Sequence, residues 1–505
     1  MKRWGYPALA FVTGAAVTVF EFAAPQMFRA FYGQTIYVWA NVIGVILAAL
    51  ALGYLLGGRW ADRSDSPRPL FSIIGAAGAY AIVVGWVGPS FALWLAGPEE
   101  YPMDASIQHF FVESLAASLV LFGPPLVALG AVSPFLVKQA SRRLGVGLSA
   151  GSVFGVGTIG SLVGIYLTTF LLVDLLGVRA TVSCAGALLV VVSAAGLCVT
   201  RSKRSAAAAL VALAVVPFGL EPTHHELPGG TLVEAVESPY QLIRVIDKTL
   251  RDGTRQRWLA FDEGMDSFHS IDRPGEESFW TGAYYDAFAR TPEWVGRKSV
   301  RICVLGNAAG TMSRLLHDHK LPDAELRIDG VELDPQVTAI ARRHMGLTQE
   351  KHPHLTIFHA DGRAFLRGMP KRTYDLILLD AYTRQVSIPP GLASVEFFEL
   401  ARSRLNEGGM LFVNLGAVRR GGNLVRALSD TMAAAFDTPV YRCPLQNQAN
   451  VLLIAARGRT PPPPPPGLPF AIADRFARHV PGDLVLTDDR CPVERITVQD
   501  LIYQR

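Results

Sequence analysis

Long unbroken apolar runs fill the first 220 residues, whereas the rest of the chain alternates short apolar stretches with polar turns. The runs near 7–25, 36–57, 70–96, 110–137, 147–173 and 179–199 can each cross a hydrocarbon core of about 30 Å, so each predicts a membrane-spanning helix. A shorter run, "SAAAALVALAVVPFGL" at 205–220, is a candidate seventh. Beyond residue 230 the pieces "TLVEAVES", "YQLIRVIDK", "RQRWLAFD" and "FHSID" are rich in β-branched and aromatic residues and separated by turn residues, which predicts a small antiparallel sheet. From 298 strand patterns alternate with helix patterns, which implies βαβ units and a mostly parallel sheet. The expected organisation is a helical membrane bundle of six or seven spans over 1–222, a small β-domain over 230–290 and an α/β domain over 296–505.

Charge sharpens this division. Of 47 Lys+Arg and 43 Asp+Glu, residues 1–222 hold 13 and 9, which leaves 34 of each for the remainder. The basic surplus therefore belongs to the bundle, and the balanced remainder has no overall electrostatic footprint for nucleic acid, which is not an expected partner. Basic residues cluster in "MKR", "GGRWADRSDSPR", "KQASRR" and "RSKR". Under the positive-inside rule all four are cytoplasmic, and the acidic "GPEEYPMD" falls outside. If 205–220 is a complete span, the soluble half lies outside the cytoplasm; if it is re-entrant or interfacial, the soluble half stays inside. The first run leads straight into further spans and shows no cleavage site, so no cleavable signal peptide is expected.

Two features of the apolar half invite functional readings. The motif "GVGTIG" at 155–160 has the spacing of a dinucleotide loop but no strand before it, so helix packing is the expected role of the pairs Gly151/Gly155 and Gly160/Gly164. Glu21 and Glu113 are costly in lipid, and Glu21, deep in its run, is expected to face a polar interior or cavity. Elsewhere, Cys443 and Cys491 could pair if the domain were exported, which spacing alone does not decide. "PPPPPP" at 461–466 reads as a stiff spacer. His224 and His225 lack ligand spacing with nearby Cys or Asp, so no metal is expected.

The stretch "VLGNAAGTMSRLL" at 304–316 carries the chemistry. Here a strand hands over to a helix through small residues that let a ligand approach the backbone, at a helix N-terminus that favours hydrogen-bond acceptors. The next strand ends in Glu332, placed to accept the hydroxyls of a ribose; the following ones end in Asp361 and Asp380. Ligands of open α/β sheets bind beyond the carboxyl ends of the strands, so four tips in register predict a nucleoside site.

These motifs, "SPYQLIRV", "YYDAF", "VELD", "ADGRAFL", "LLDAY", "FFELARSRLNEGGMLFVNL" and "LTDDRCPVE", resemble in their order the spermidine synthase (polyamine aminopropyltransferase) family, over about 232–500. The bundle is similar to the multi-span domain fused to some bacterial members. The resemblance implies a Rossmann-like methyltransferase fold behind the β-domain, and decarboxylated S-adenosylmethionine or S-adenosylmethionine as co-substrate, without a metal. It implies Asp380 as the acid that helps take a proton from the attacking amine. Cofactor contacts would come from Gly306, Asn307, Gly310, Glu332, Asp361 and Gly362. Tyr240, Gln241, Tyr284, Asp286 and Tyr382 would line the substrate pocket. The chain departs from the family at Ala309, where an Asp would hold the aminopropyl ammonium, at Thr383, the place of a second acid, and at Tyr285, the place of a His.

A membrane-anchored transferase acting on an amine-type acceptor is therefore the leading expectation, located in the bacterial inner membrane. An S-adenosylmethionine-dependent methyltransferase and a non-catalytic transporter or sensor with a nucleoside- or polyamine-binding domain are the alternatives. Expected partners are a small-molecule amine or lipid-accessible acceptor, membrane lipids and a second copy of the chain as a homodimer.

Overall fold

The computed structural model describes residues 5–502 apart from 33–35, 97–106, 143, 201–229, 239, 262–267, 277, 383–387, 417–420, 446–449 and 465–475. The candidate seventh run, His224, His225, Thr383 and the end of the proline run therefore lie outside the described residues.

The bundle comprises α1 (Gly5–Tyr32), α2 (Ile36–Arg63), α3 (Arg68–Ala96), α4 (Ile107–Leu121), α5 (Gly123–Ser141), α6 (Val146–Leu167) and α7 (Val173–Val199), with a π-helical turn, Thr168–Leu172, between the last two. Among the described residues, five stretches are long and apolar enough to cross a membrane: Gly5–Phe28, Val38–Arg63, Arg68–Ala92, Val146–Leu172 and Leu175–Val199. A sixth arises if the pair α4 and α5, bent by 50°, is one span. The single run expected over 110–137 is thus broken. Pro124 and Pro125 open α5 and lack the N–H groups that would continue the hydrogen-bond ladder of α4. Helix α7 turns again at Gly177, whose φ of 75° starts a fresh helical segment at Val178.

Close packing of α1 on α6 rests on missing side chains. A Cβ on Gly160 would lie 2.1 Å from the Phe11 carbonyl oxygen, and one on Gly164 2.6 Å from that of Ala15. Ser161 seals the seam by donating to the Gly14 carbonyl at 3.1 Å. Gly151 and Gly155, expected in the same role, have open space where a Cβ would stand, so the packing face begins only at Gly157.

After the bundle, β1 (Gly230–Glu237), β2 (Leu242–Thr249), β3 (Arg255–Phe261) and β4 (Ser270–Asp272) form an antiparallel meander. A short 3₁₀ turn, Tyr284–Ala287, and α8 (Thr291–Val295) lead into an alternating series: β5 (Ser299–Leu305), α9 (Thr311–Asp318), β6 (Glu325–Glu332), α10 (Pro335–His344), β7 (Leu355–His359), α11 (Gly362–Gly368), β8 (Tyr374–Leu379), α12 (Val395–Arg404) and β9 (Leu405–Gly416). Helix α13 (Asn423–Ala435), β10 (Tyr441–Pro444), β11 (Asn450–Ala456), β12 (Ala477–Arg478) and α14 (Val493–Ile502) complete the chain.

The large sheet runs β12-β10-β11-β9-β8-β5-β6-β7. Strands β5 to β9 are parallel, and β11, β10 and β12 join antiparallel. Because the chain leaves β5 in one direction for β6 and β7 and returns to its other side for β8, the tips of β5 and β8 flank a topological switch point, where a crevice opens. Successive residues of β5 feed cores on opposite faces: Val304 packs with Met312, Leu376 and Phe412, and Leu305 with Leu379, Phe397 and Val413. Cys443 belongs to the first core and Cys491 packs on the second, on the opposite face of the sheet, so the two do not pair with each other.

Candidate functional site

The crevice is built from the tip of β5 outwards. Gly306 takes φ 88°, and a Cβ there would stand 2.3 Å from the backbone oxygen of Asp380, so only glycine lets the tips of β5 and β8 meet. Gly306 and Asn307 both donate their N–H groups to the Val331 carbonyl at 3.0 Å, which ties the loop to β6. The Asn307 carboxamide oxygen accepts from Ser313 at 2.7 Å, and its buried NH₂ group has no partner among the described residues. Ala308, at φ 43°, and Ala309 turn their N–H groups to Glu332 and Ser270, each at 2.9 Å. Gly310, at φ 78°, then starts α9.

Glu332 closes the next tip. Its second oxygen accepts from the Asp334 N–H at 3.0 Å. Burial dominates over these backbone donors and raises its pKa to about 7. Asp334 is itself an organiser. Its side chain caps α10 through Gln336 N–H at 2.9 Å and accepts from the Ser238 hydroxyl at 2.6 Å. Ser238 in turn accepts the N–H groups of Tyr240 and Gln241 at 3.1 and 2.9 Å, so the turn after β1 is moored to the mouth of the crevice. Asp361 caps α11 through Ala364 N–H at 2.9 Å and is exposed, and Gly362 follows it against Leu305.

Asp380 sits at the β8 tip with a donor on each oxygen, the Tyr284 hydroxyl at 3.0 Å and the Asn414 amide at 2.7 Å. Burial outweighs both and raises its pKa to about 6. The amide of Asn414 is set by a second one: Asn450 on β11 donates to its oxygen at 3.0 Å, which leaves the NH₂ group to face Asp380. Tyr382 donates to the Asn414 carbonyl at 2.6 Å and accepts from Gly416 N–H at 2.8 Å. Burial, with Asp380 nearby, raises the pKa of Tyr284, Tyr285 and Tyr382, so all three phenols stay protonated.

Gly306, Asn307, Gly310, Glu332 and Asp380 thus come together, with Tyr284 and Tyr382 beside the last. Tyr240 stands at the rim, 46% exposed. Asp286 is 2% exposed, and both oxygens are taken: Thr281 N–H and hydroxyl reach one at 2.9 and 2.6 Å, Gly282 N–H the other at 2.9 Å. Its place in the structure is that of a turn anchor rather than of a group open to a ligand. Sequence reasoning singled out neither Asn414 nor Asn450, whose amides converge only through the antiparallel pairing of β9 with β11. Asp334 and Ser238 lay within the motifs "VELD" and "SPYQ" and could have been found as a cap and a turn.

No family model matches the chain. A polyamine aminopropyltransferase 2 from Streptomyces coelicolor is 26% identical over 449 residues, 84% of this chain and 76% of that protein. A probable polyamine aminopropyl transferase from Bifidobacterium longum is 33% identical over 157 residues, but the match takes in only 31% of this chain and 33% of that protein. Among solved structures, a probable spermidine synthase from Corynebacterium glutamicum aligns with 44% of this chain and 79% of its own at 20% identity, with a TM-score of 0.37. The relatives matched in sequence are enzymes of the transferase class. Over most of its length the chain is similar to the polyamine aminopropyltransferases, the spermidine synthase family.

Proposed function

We propose that the chain is a membrane-anchored transferase that moves a three-carbon aminopropyl arm from decarboxylated S-adenosylmethionine to an amine-type acceptor, in a Rossmann-like domain over 296–505 preceded by the β-domain over 230–290. The observation that carries this reading is the setting of Asp380: a carboxylate with a donor on each oxygen, at a glycine-lined crevice, with a pKa of about 6. At neutral pH it is mostly ionised, so it can orient an incoming amine and accept its proton. In the transfer, the amine lone pair forms the new N–C bond, the C–S bond breaks with its electrons going to the sulfonium sulfur, and Asp380 takes the displaced proton. Glu332 would accept from the ribose hydroxyls, Asp361 would stand towards the adenine amine, and Gly306, Asn307, Gly310 and Gly362 would give the nucleoside close backbone approach. Tyr240, Gln241, Tyr284 and Tyr382 would bound the acceptor side.

Membrane anchoring draws support from the outward faces of the bundle, where large apolar residues such as Phe170 (72% exposed) and Val199 (70%) would otherwise meet water. A second reading, methyl transfer from S-adenosylmethionine, is favoured by Ala309, which puts a methyl group where the family carries the acid for the aminopropyl ammonium. The purified protein, given each donor with a pool of diamines, polyamines and lipids, distinguishes them. Methylthioadenosine that depends on acceptor and on Asp380 supports aminopropyl transfer, S-adenosylhomocysteine supports methyl transfer, and neither product overturns both.

A further inference from the structure

The basic loops of the bundle converge on one end. Lys138 at the end of α5 donates to the Ser64 carbonyl beyond α2 at 3.3 Å, Arg142 to that of Asp65 at 3.1 Å, and Arg68 at the start of α3 to that of Thr200 after α7 at 3.1 Å. The start of α1, which follows "MKR", belongs to the same end, because α1 runs parallel to α6: Phe11 meets Gly160 and Ala15 meets Gly164. The chain therefore stands at this end again at Thr200, having traversed the bundle an even number of times.

The soluble half touches the other end. Glu237, the last residue of β1, accepts the N–H of Val178 at 3.3 Å, at the fresh helical start after Gly177. A carboxylate there answers the unpaired donors and positive end of the helix. The neighbouring Arg179 reaches across to α3 and donates to the carbonyls of Gly85 and Trp86 at 3.1 and 3.2 Å, which fixes that face. From Val178 to Thr200 is about 33 Å of helix, the thickness of a bilayer core. The chain is thus at the basic end at Thr200 and at the opposite end by Glu237.

We propose that the transferase half is held on the extracytoplasmic face of the membrane, docked through Glu237 on the N-terminus of the α7 segment, so that its crevice opens away from the cytoplasm. This rests on the membrane reading of the bundle together with the positive-inside rule. The acceptor is then an amine met on the outer side, and the sulfonium donor has to reach that side.

The test uses the full chain in intact bacterial cells, with Cys198 and Cys491 replaced by Ser. Two single reporters are compared: Asp252→Cys, on the exposed β2–β3 turn of the soluble half, and Asp62→Cys, exposed near the end of α2 on the basic face. With a membrane-impermeant maleimide, Asp252→Cys is expected to react in intact cells and Asp62→Cys only after permeabilisation. Protection of Asp252→Cys until permeabilisation, or reaction of both in intact cells, overturns the proposal. Recovery of the protein from the soluble rather than the membrane fraction would instead overturn the membrane reading beneath it.

Discussion

Removing the amide of Asn414 should shift the pH at which the enzyme switches on. Asp380 must be ionised to take the amine proton, and its pKa of about 6 is a balance between burial, which raises it, and the donors Asn414 and Tyr284, which lower it. The 2.7 Å bond from Asn414 is charge-assisted, and such bonds contribute roughly 1.5–3 kcal/mol. One pKa unit corresponds to about 1.4 kcal/mol, so Asn414→Ala should bring Asp380 to roughly 7 or higher. The sign follows from burial: with a donor gone, the ionised form loses more than the neutral form. The acid limb of the kcat/KM profile therefore moves up by about one pH unit or more, and at pH 7 the ionised fraction falls from roughly nine-tenths to half or less. Asn450→Ala, which removes only the group that sets the Asn414 amide, should move the limb the same way by less. The assay is nucleoside release across pH 5–9 at saturating donor. An acid limb unmoved in Asn414→Ala, with normal folding, would refute the assignment of Asp380 as proton acceptor.

Other perturbations test the remaining parts. Gly306→Ala places a methyl group against the Asp380 carbonyl at a positive φ and should lower stability by roughly 2 kcal/mol or more, read as a drop in Tm in detergent. Glu332→Gln should weaken binding of adenine nucleosides about tenfold or more by calorimetry, since a neutral amide accepts hydroxyls less strongly. In the wild-type protein the same affinity should fall as pH drops through about 7, where Glu332 takes up its proton; a flat pH response would exclude a ribose contact. Gly160→Leu should part α1 from α6 and cut the yield of folded protein from membranes, whereas Gly155→Leu, with open space around it, should not.

The contrast between those two glycines marks how far the sequence carries. A run such as 147–173 announces a helix through its apolar length, but which of its faces meets a neighbour depends on crossing geometry that a spacing of four does not encode. At the crevice, the strand tips were legible because each βα unit ends in a small or acidic residue at the same step of the repeat, and Gly306 was conspicuous because a turn there needs a positive φ. The groups that tune Asp380 were hidden for the opposite reason. Asn414 and Asn450 lie far from it in sequence, on strands whose antiparallel register is fixed only when the sheet closes. Asp286 looked like a pocket acid by its place in "YYDAF", yet the turn around it consumes both oxygens before any ligand could. The break between α4 and α5 was written in two adjacent prolines, but their apolar neighbours made the run look continuous.

The thread from Ser238 through Asp334 to Glu332 links the turn after β1 to the tip of β6, beside the other contacts that hold the two sheets together, such as that of Ala309 with Ser270. A ligand that tightens around Glu332 also tightens the mooring of the turn that carries Tyr240 and Gln241. With a nucleoside held at Glu332, three consecutive hydrogen bonds would couple it to a ligand held at Tyr240 and Gln241, so that each would favour binding of the other by the same factor.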